Sequence, residues 1–404
     1  MTTLARYDSA MSDLQTRLIH HPYTPPAGFA SPQPGVYKAS TVIFANVAQM
    51  RARDWQQKKG YTYGLHGTPT TFTLEERLCE LEGGRQCVLG PSGLAAIAIV
   101  NLAFLKAGDE VLIPNNAYGP NKALAENELK GWGISCQYYD SMNPGDLAAR
   151  INARTRLVWL EAAGSVTMEF PDLPALAAIC RAKNVTSALD NTWGAGVAFA
   201  PFEAGVDISA HALTKYPSGG GDVLMGSVMT RDEALHLKIK AAHMRLGFGV
   251  GANDAEAVLR ALSSIELRYR AHDVVARALA RWLKTRGEIV QVLHPAMEGS
   301  PGHENWQALC GASGANAAAG LFSVVFDDQY SKAAIDRFCD SLKLFKLGYS
   351  WGGPLSLVVP YDIAPMRDAS VSAWPHKGVL VRFSIGLESE AALRADLEQG
   401  LSQL

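Results

Sequence analysis

Between Arg85 and Met229 the chain alternates short apolar runs with stretches of helical periodicity, and this alternation constrains the fold more than any other feature. The runs Gln86 to Leu89, Glu110 to Ile113, Leu157 to Leu160 and Val185 to Leu189 are too short for buried helices, and each is followed by turn residues. Strands that alternate with helices form a mostly parallel, doubly wound sheet. Two further runs, Val206 to Ala210 and Val223 to Met229, read as added strands, the second as an antiparallel edge. The glycine-rich segment Gly247 to Gly251 marks a boundary, and Asn253 to Trp282 reads as one long helix connecting two domains. Beyond it, Ile289 to Leu293, Leu321 to Phe326 and Gly378 to Ile385 read as strands, and Ala333 to Leu342 and Ala391 to Gln403 as helices. A smaller α+β domain is expected there. The first forty residues carry Pro22, Pro25, Pro26, Pro32 and Pro34, which prevent a long helix and leave an arm that is stable only if it packs on something. The expected organisation is an arm over residues 1–65, a large α/β domain over 66–250 and a small domain over 251–404.

With 404 residues, 48% hydrophobic and 19% charged, the chain is that of an ordinary globular enzyme rather than a disordered or collagen-like protein. Thirty-seven basic against 39 acidic residues leave a formal charge of −2 with no block of like charge, which argues against nucleic acid or an anionic membrane as the main partner. No apolar run approaches the length of about 20 residues needed to span a bilayer, and the polar start Met1 to Arg6 lacks a signal-peptide core, so a cytoplasmic location is expected. The six cysteines contain no Cys-x-x-Cys pair, and no metal site is expected; Cys87 and Cys180 lie in apolar stretches and read as core residues.

Lys215 ends the run His211-Ala212-Leu213-Thr214 and precedes Tyr216 and the glycines 219–221. A lysine so placed can act as a Schiff-base nucleophile once burial and nearby positive charge depress its pKa; a lysine beside a loop is the plainer alternative. Asp190 closes the run Val185 to Leu189 and should stand at the carboxyl edge of a parallel strand, where open α/β sheets bind ligands. A carboxylate there can keep the ring nitrogen of pyridoxal phosphate protonated, although a turn-capping aspartate fits the spacing too. Gly90 to Ile97 follows the first strand and opens a helix whose free amides suit a phosphate. Thr214 could add its hydroxyl to that phosphate. Tyr118, after the second strand, could stack on a flat cofactor or be an ordinary half-buried tyrosine. Arg382 sits in an apolar strand; facing inward it needs a carboxylate, facing outward it needs nothing.

Taken in order, Leu81-Glu82-Gly83-Gly84, Asp190-Asn191-Thr192-Trp193, Thr214-Lys215-Tyr216 and His294-Pro295 are a pattern that resembles the Cys/Met metabolism family of pyridoxal phosphate enzymes, from about Tyr61 to the end of the chain. The resemblance implies fold type I, the aspartate aminotransferase-like arrangement of a large and a small domain, and a homotetramer built from two tight dimers. It implies that Lys215 bears the cofactor, that Asp190 partners the pyridinium, that Tyr118 stacks on the ring, and that Gly93, Leu94 and Thr214 hold the phosphate. By the same resemblance Arg382 holds the substrate α-carboxylate, Ser350 and Trp351 shape the substrate side, and Tyr63 on the arm, or Tyr61 if the register is shifted by two, enters the neighbouring subunit's site. Gly164-Ser165-Val166-Thr167-Met168-Glu169 and Tyr349-Ser350-Trp351-Gly352-Gly353 look like the members that eliminate at Cβ rather than Cγ. The implied activity is a carbon–sulfur β-lyase acting on a small sulfur-containing amino acid, with L-cystathionine giving homocysteine, pyruvate and ammonia; the alternatives are a broader cysteine-S-conjugate or cystine β-lyase, a γ-acting relative, or a non-catalytic regulatory protein on the same fold.

Two departures stand out. Where Leu65 lies in Tyr63-Gly64-Leu65-His66, the family usually has an arginine that crosses the dimer to the cofactor phosphate, which leaves His66 or another basic residue to compensate. The segment Gly352 to Leu357 also lacks the glutamate often found before the Ser-Leu pair.

Overall fold

The computed structural model describes residues 13–311 and 314–404; the polar start Met1 to Arg6 lies outside them. Seven strands form the larger sheet: β1 Gln86–Gly90, β2 Glu110–Pro114, β3 Ser135–Tyr139, β4 Thr155–Glu161, β5 Thr186–Asp190, β6 Ile208–Ala212 and β7 Gly226–Thr230. Their spatial order is β1-β7-β6-β5-β4-β2-β3, and only β7 runs against its neighbours. The expected antiparallel strand is therefore present, but it lies inside the sheet between β1 and β6 rather than at an edge.

Alternation along each strand supplies two cores. Val111, Ile113, Leu157, Trp159, Ala188, Ile208 and Ala210 pack with the helix Gly93–Phe104, while Leu112, Val158, Leu160 and Leu189 pack with the helices Pro69–Glu82 and Leu173–Ala182. The same parity carries past the strand ends. It puts Glu161, Asp190 and Ala212 on the face of the helix Gly93–Phe104, and His211 on the opposite face.

A smaller sheet follows, made of β8 Ile289–Leu293, β9 Leu321–Phe326, β10 Lys346–Leu347, β11 Leu357–Tyr361 and β12 Leu380–Ser384, in the order β10-β11-β12-β9-β8. All its pairings are antiparallel except β10 with β11. The helices Lys332–Ser341 and Glu390–Leu401 cover it, with Phe338, Phe383, Leu393 and Leu397 in one core.

The long helix expected over Asn253 to Trp282 is two helices, Ala252–Leu262 and Ile265–Leu283. Two serines break it: Ser263 Oγ donates to the Arg260 carbonyl at 3.0 Å and Ser264 Oγ to that of Ala261 at 3.2 Å. Hydroxyls that take backbone carbonyls compete with the helix ladder. The first helix packs on Pro69–Glu82 and the second on the small sheet. Within the arm, Leu14–Ile19 and Val47–Arg51 are short helices capped by Asp13 and Asn46. Cys87 and Cys180 are fully buried. Among the described residues no helix is long and apolar enough to cross a membrane.

Candidate active site

The parallel strands β2, β4, β5 and β6 end at one edge of the large sheet, and a cavity of about 550 Å³ opens there against the small domain. Its floor comes from the strand ends. Glu161 and Asp190 are register partners in β4 and β5. Asp190 Oδ1 accepts the Thr192 amide at 3.0 Å and the Thr192 hydroxyl at 2.5 Å, and that hydroxyl accepts from the Ala212 amide at 3.0 Å. Burial raises the Asp190 carboxyl, while the Thr192 hydrogen bonds, His211 and Lys215 pull it back. Glu161 is pushed well above its ordinary range by burial and by Asp190, and its Oε2 accepts the Tyr118 amide at 2.8 Å.

Lys215 sits where expected, in the turn between β6 and β7. Its amide donates to the Ala212 carbonyl and its carbonyl accepts from Gly219, which closes the turn. Nζ donates to Ser350 Oγ at 2.7 Å and lies 5.4 Å from the Trp351 ring centre. Burial, reinforced by Arg382 and opposed by Asp190, lowers its pKa to about 8. Ser350 has φ 93°, and Val166 and Met168 in the opposite wall have φ 69° and 58°. Left-handed backbone at three non-glycine residues of one cavity is strain that the surroundings must hold in place. For the wall they do so through Arg367, whose Nη2 bonds Glu169 Oε2 at 2.6 Å and Thr167 Oγ1 at 2.7 Å.

The helix Gly93–Phe104 points its first turn into the cavity, and Ser92 Oγ caps it by accepting the Ala95 amide at 3.0 Å. A side chain at position 93 would come within 2.6 Å of Ala212 Cβ, so only glycine lets the helix end approach β6 this closely. Thr214 also lines the cavity, with its hydroxyl exchanging hydrogen bonds with the Met225 backbone at 3.3 and 3.1 Å. Tyr118 stands at the rim, and its phenol is raised by burial, Asp190 and Glu161, so it stays protonated. Arg382 faces inward. It is 7% exposed, its guanidinium lies 5.4 Å from the Tyr361 ring, and Nε and Nη2 have no hydrogen-bond partner.

The structure thus brings Lys215, Asp190, Tyr118, Gly93, Leu94, Thr214, Arg382, Ser350 and Trp351 to one cavity, and leaves Tyr63 out of it. Tyr63 is 46% exposed on the arm, with its ring 5.9 Å from His66. Leu65 is half-buried near Gly249, and His66 Nδ1 pairs with Thr62 Oγ1 at 2.8 Å away from the cavity. Buried Lys240 donates to the His66 carbonyl at 2.8 Å and pins this segment. Sequence reasoning missed Glu161, Tyr361 and Met366. Glu161 had the same signal as Asp190, an acid closing an apolar run, whereas the other two arrive from the small domain.

These residues fit pyridoxal phosphate. A helix end with free amides suits a phosphate, an acid at a strand end suits a ring nitrogen, an amine lowered toward neutrality suits the aldehyde, and a buried guanidinium with two unpartnered nitrogens suits a carboxylate. The chain is 37% identical to cystathionine beta-lyase of Bordetella avium over 98% of this chain and 99% of that protein. It is 34% identical to cystathionine beta-lyase of Escherichia coli K12 over 91% and 93%. A solved cystathionine gamma synthase from Xanthomonas oryzae pv. oryzae, in complex with aminoacrylate and cysteine, superposes with TM-score 0.87 at 28% identity over 97% of this chain and 98% of that one. The large mixed sheet and the smaller second sheet are those of fold type I. Since the family model for the Cys/Met metabolism PLP-dependent enzymes matches residues 15–402, the chain belongs to that family and its cofactor is pyridoxal phosphate.

Proposed function

We propose that this protein is a carbon–sulfur lyase that carries out α,β-elimination, converting L-cystathionine and water to homocysteine, pyruvate and ammonia. The observation that carries the reading is that one cavity holds both the Lys215 amine, lowered to about 8, and the buried guanidinium of Arg382, whose Nε and Nη2 lack partners. Arg382 takes the α-carboxylate of the substrate in a two-pronged hydrogen bond and turns Cα toward Lys215. The Lys215 amine accepts the Cα proton as general base, and Ser350 Oγ keeps Nζ in position. The bound cofactor supplies an electron sink for the pair left on Cα. Asp190, oriented by Thr192, holds the ring nitrogen's proton, and Tyr118 supplies a neutral aromatic face. The Cβ–S bond then breaks with its electrons on sulfur, the proton gained by Lys215 is available to the departing thiolate, and water releases pyruvate and ammonia.

Gly93, Leu94 and Thr214 are assigned to the phosphate, and Ser350 and Trp351 to the substrate side. Elimination at Cβ rather than Cγ is supported by the two beta-lyase relatives and by the Tyr349 to Gly353 stretch. The proposed assembly is a cytoplasmic homotetramer, a dimer of dimers, in which Tyr63 of one arm enters the neighbouring site. Product analysis tests the reaction: pyruvate with homocysteine is expected, and α-ketobutyrate with cysteine would overturn it.

A further inference from the structure

Resting on the assignment of Asp190 to the ring nitrogen, we infer that Glu82, on the far face of the large sheet, is a positioning residue for Asp190: it clamps the ends of β5 and β6 together from beneath, and the strength of the ring-nitrogen contact depends on it. Glu82 closes the helix Pro69–Glu82 and is 0% exposed. Its Oε1 pairs with His211 Nδ1 at 2.7 Å, and its Oε2 accepts from Ser209 Oγ at 2.5 Å and from Asn191 Nδ2 at 3.0 Å. Asn191 is the residue after Asp190, while Ser209 and His211 flank Ala210, the register partner of Asp190. A single buried acid thus grips both strands at the point where they present Asp190 to the cavity.

On the cavity face Asp190 is held through Thr192, whose hydroxyl takes the Ala212 amide at 3.0 Å, and the Asn191 amide donates to the Ala210 carbonyl at 2.8 Å. Both links run to β6, so a shift of β6 against β5 carries the carboxylate with it. Glu82 spans the same two strands from the other side and ties them to a helix. The loop after Asn191 leans on that helix end as well: Gly196 has φ 70°, and a side chain there would meet Leu81 Cγ at 2.8 Å. The second ring nitrogen of His211, Nε2, is buried without a partner, so the bond to Glu82 sets the orientation of the ring. A charge-assisted hydrogen bond needs its partners held to within about 0.5 Å. Stability alone does not call for an acid here, because an apolar side chain would pack the helix on the sheet without the cost of a buried charge. Removing the carboxylate leaves the donors of His211, Ser209 and Asn191 without their acceptor in one step.

Two cofactors separate position from fold. Pyridoxal phosphate and its carbocyclic analogue, with C–H in place of the ring nitrogen, share every other group, so the ratio of their Kd values for the unloaded protein reads the Asp190 contact without turnover. A preference for pyridoxal phosphate of about tenfold or more is expected for the unsubstituted protein, and little or none for Asp190→Asn. Glu82→Gln keeps the size of the side chain and is expected to narrow the preference to about threefold or less, with no further narrowing once Asp190→Asn is present. His211→Leu removes one of the donors and is expected to narrow the preference in the same direction; His211→Asn, whose amide can stand where Nδ1 does, is expected to restore it. That pair decides the matter if Glu82→Gln does not fold. An unchanged preference in Glu82→Gln and His211→Leu, with both cofactors weakened alike, would mean that the network only supports the fold and would overturn the inference. No preference in the unsubstituted protein would instead sink the assignment of Asp190 to the ring nitrogen, and the inference with it.

Discussion

Lys215 and Ser350 are 135 positions apart in the chain, yet Nζ of the first donates to Oγ of the second at 2.7 Å. One residue belongs to the turn after β6 and the other to the segment before β11, so the amine that the site depends on is aimed by the other sheet's domain. Ser350 holds a left-handed backbone to do this, with φ 93°. Ser350→Ala should therefore slow turnover by about tenfold while leaving cofactor content intact, whereas Lys215→Ala should lose about 10³-fold or more. Cofactor absorbance and initial rates on one preparation check both.

The lowered amine gives a pH dependence whose sign is fixed. In the unfolded chain Lys215 titrates at 10.5 and in the unloaded folded protein at about 8. Between those values the unfolded state binds more protons, so stability rises with pH across that window and is level below it. Lys215→Met should flatten the rise, as read from denaturant midpoints at either end of the window. Attachment of pyridoxal phosphate to the unloaded protein should likewise quicken about tenfold per unit up to roughly pH 8 and then level off.

Asp190 is oriented by both donors of Thr192. Asp190→Asn keeps the shape but removes the charge that would hold a ring nitrogen protonated, and a loss of about 10²- to 10³-fold in kcat is expected. Thr192→Val should cost less, roughly tenfold, the low end of what one charge-assisted hydrogen bond is worth at ~1.5 kcal/mol. Equal losses would mean that Asp190 acts only as a turn cap.

Arg382 carries two buried nitrogens without partners. Its replacement by alanine should lower kcat/KM by roughly 10- to 150-fold, mostly through KM, and lysine should restore little because a point charge cannot match a carboxylate with two parallel bonds. Saturation curves for the three proteins separate these outcomes.

Leu65 lies on a segment pinned by Lys240, with no cation of its own. If the arm reaches a neighbouring phosphate, Leu65→Arg should tighten pyridoxal phosphate binding by about tenfold or more. Unchanged affinity in a titration of unloaded protein would mean that other donors already serve the phosphate.

The strand runs at β1, β2, β4 and β5 were legible because buried parallel strands are apolar along their length, and Asp190 was legible because a charge closing such a run belongs at a ligand-binding edge. β3 was not, since Ser135-Cys136-Gln137-Tyr138-Tyr139 mixes polar and aromatic residues at the sheet's edge. β11 was hidden by Pro360, and the break at Ser263 and Ser264 depends on hydroxyls choosing backbone carbonyls that periodicity does not see. The motifs around Lys215 and Asp190 made the cofactor legible, because both residues stand at strand ends and turns that short stretches of sequence specify. The small domain's folding over that edge decided what lies around them: Arg382 turned inward, Ser350 on the amine, and Tyr361 and Met366 in the cavity wall. No local pattern encodes such meetings, because they exist only once two separately packed sheets have closed on each other.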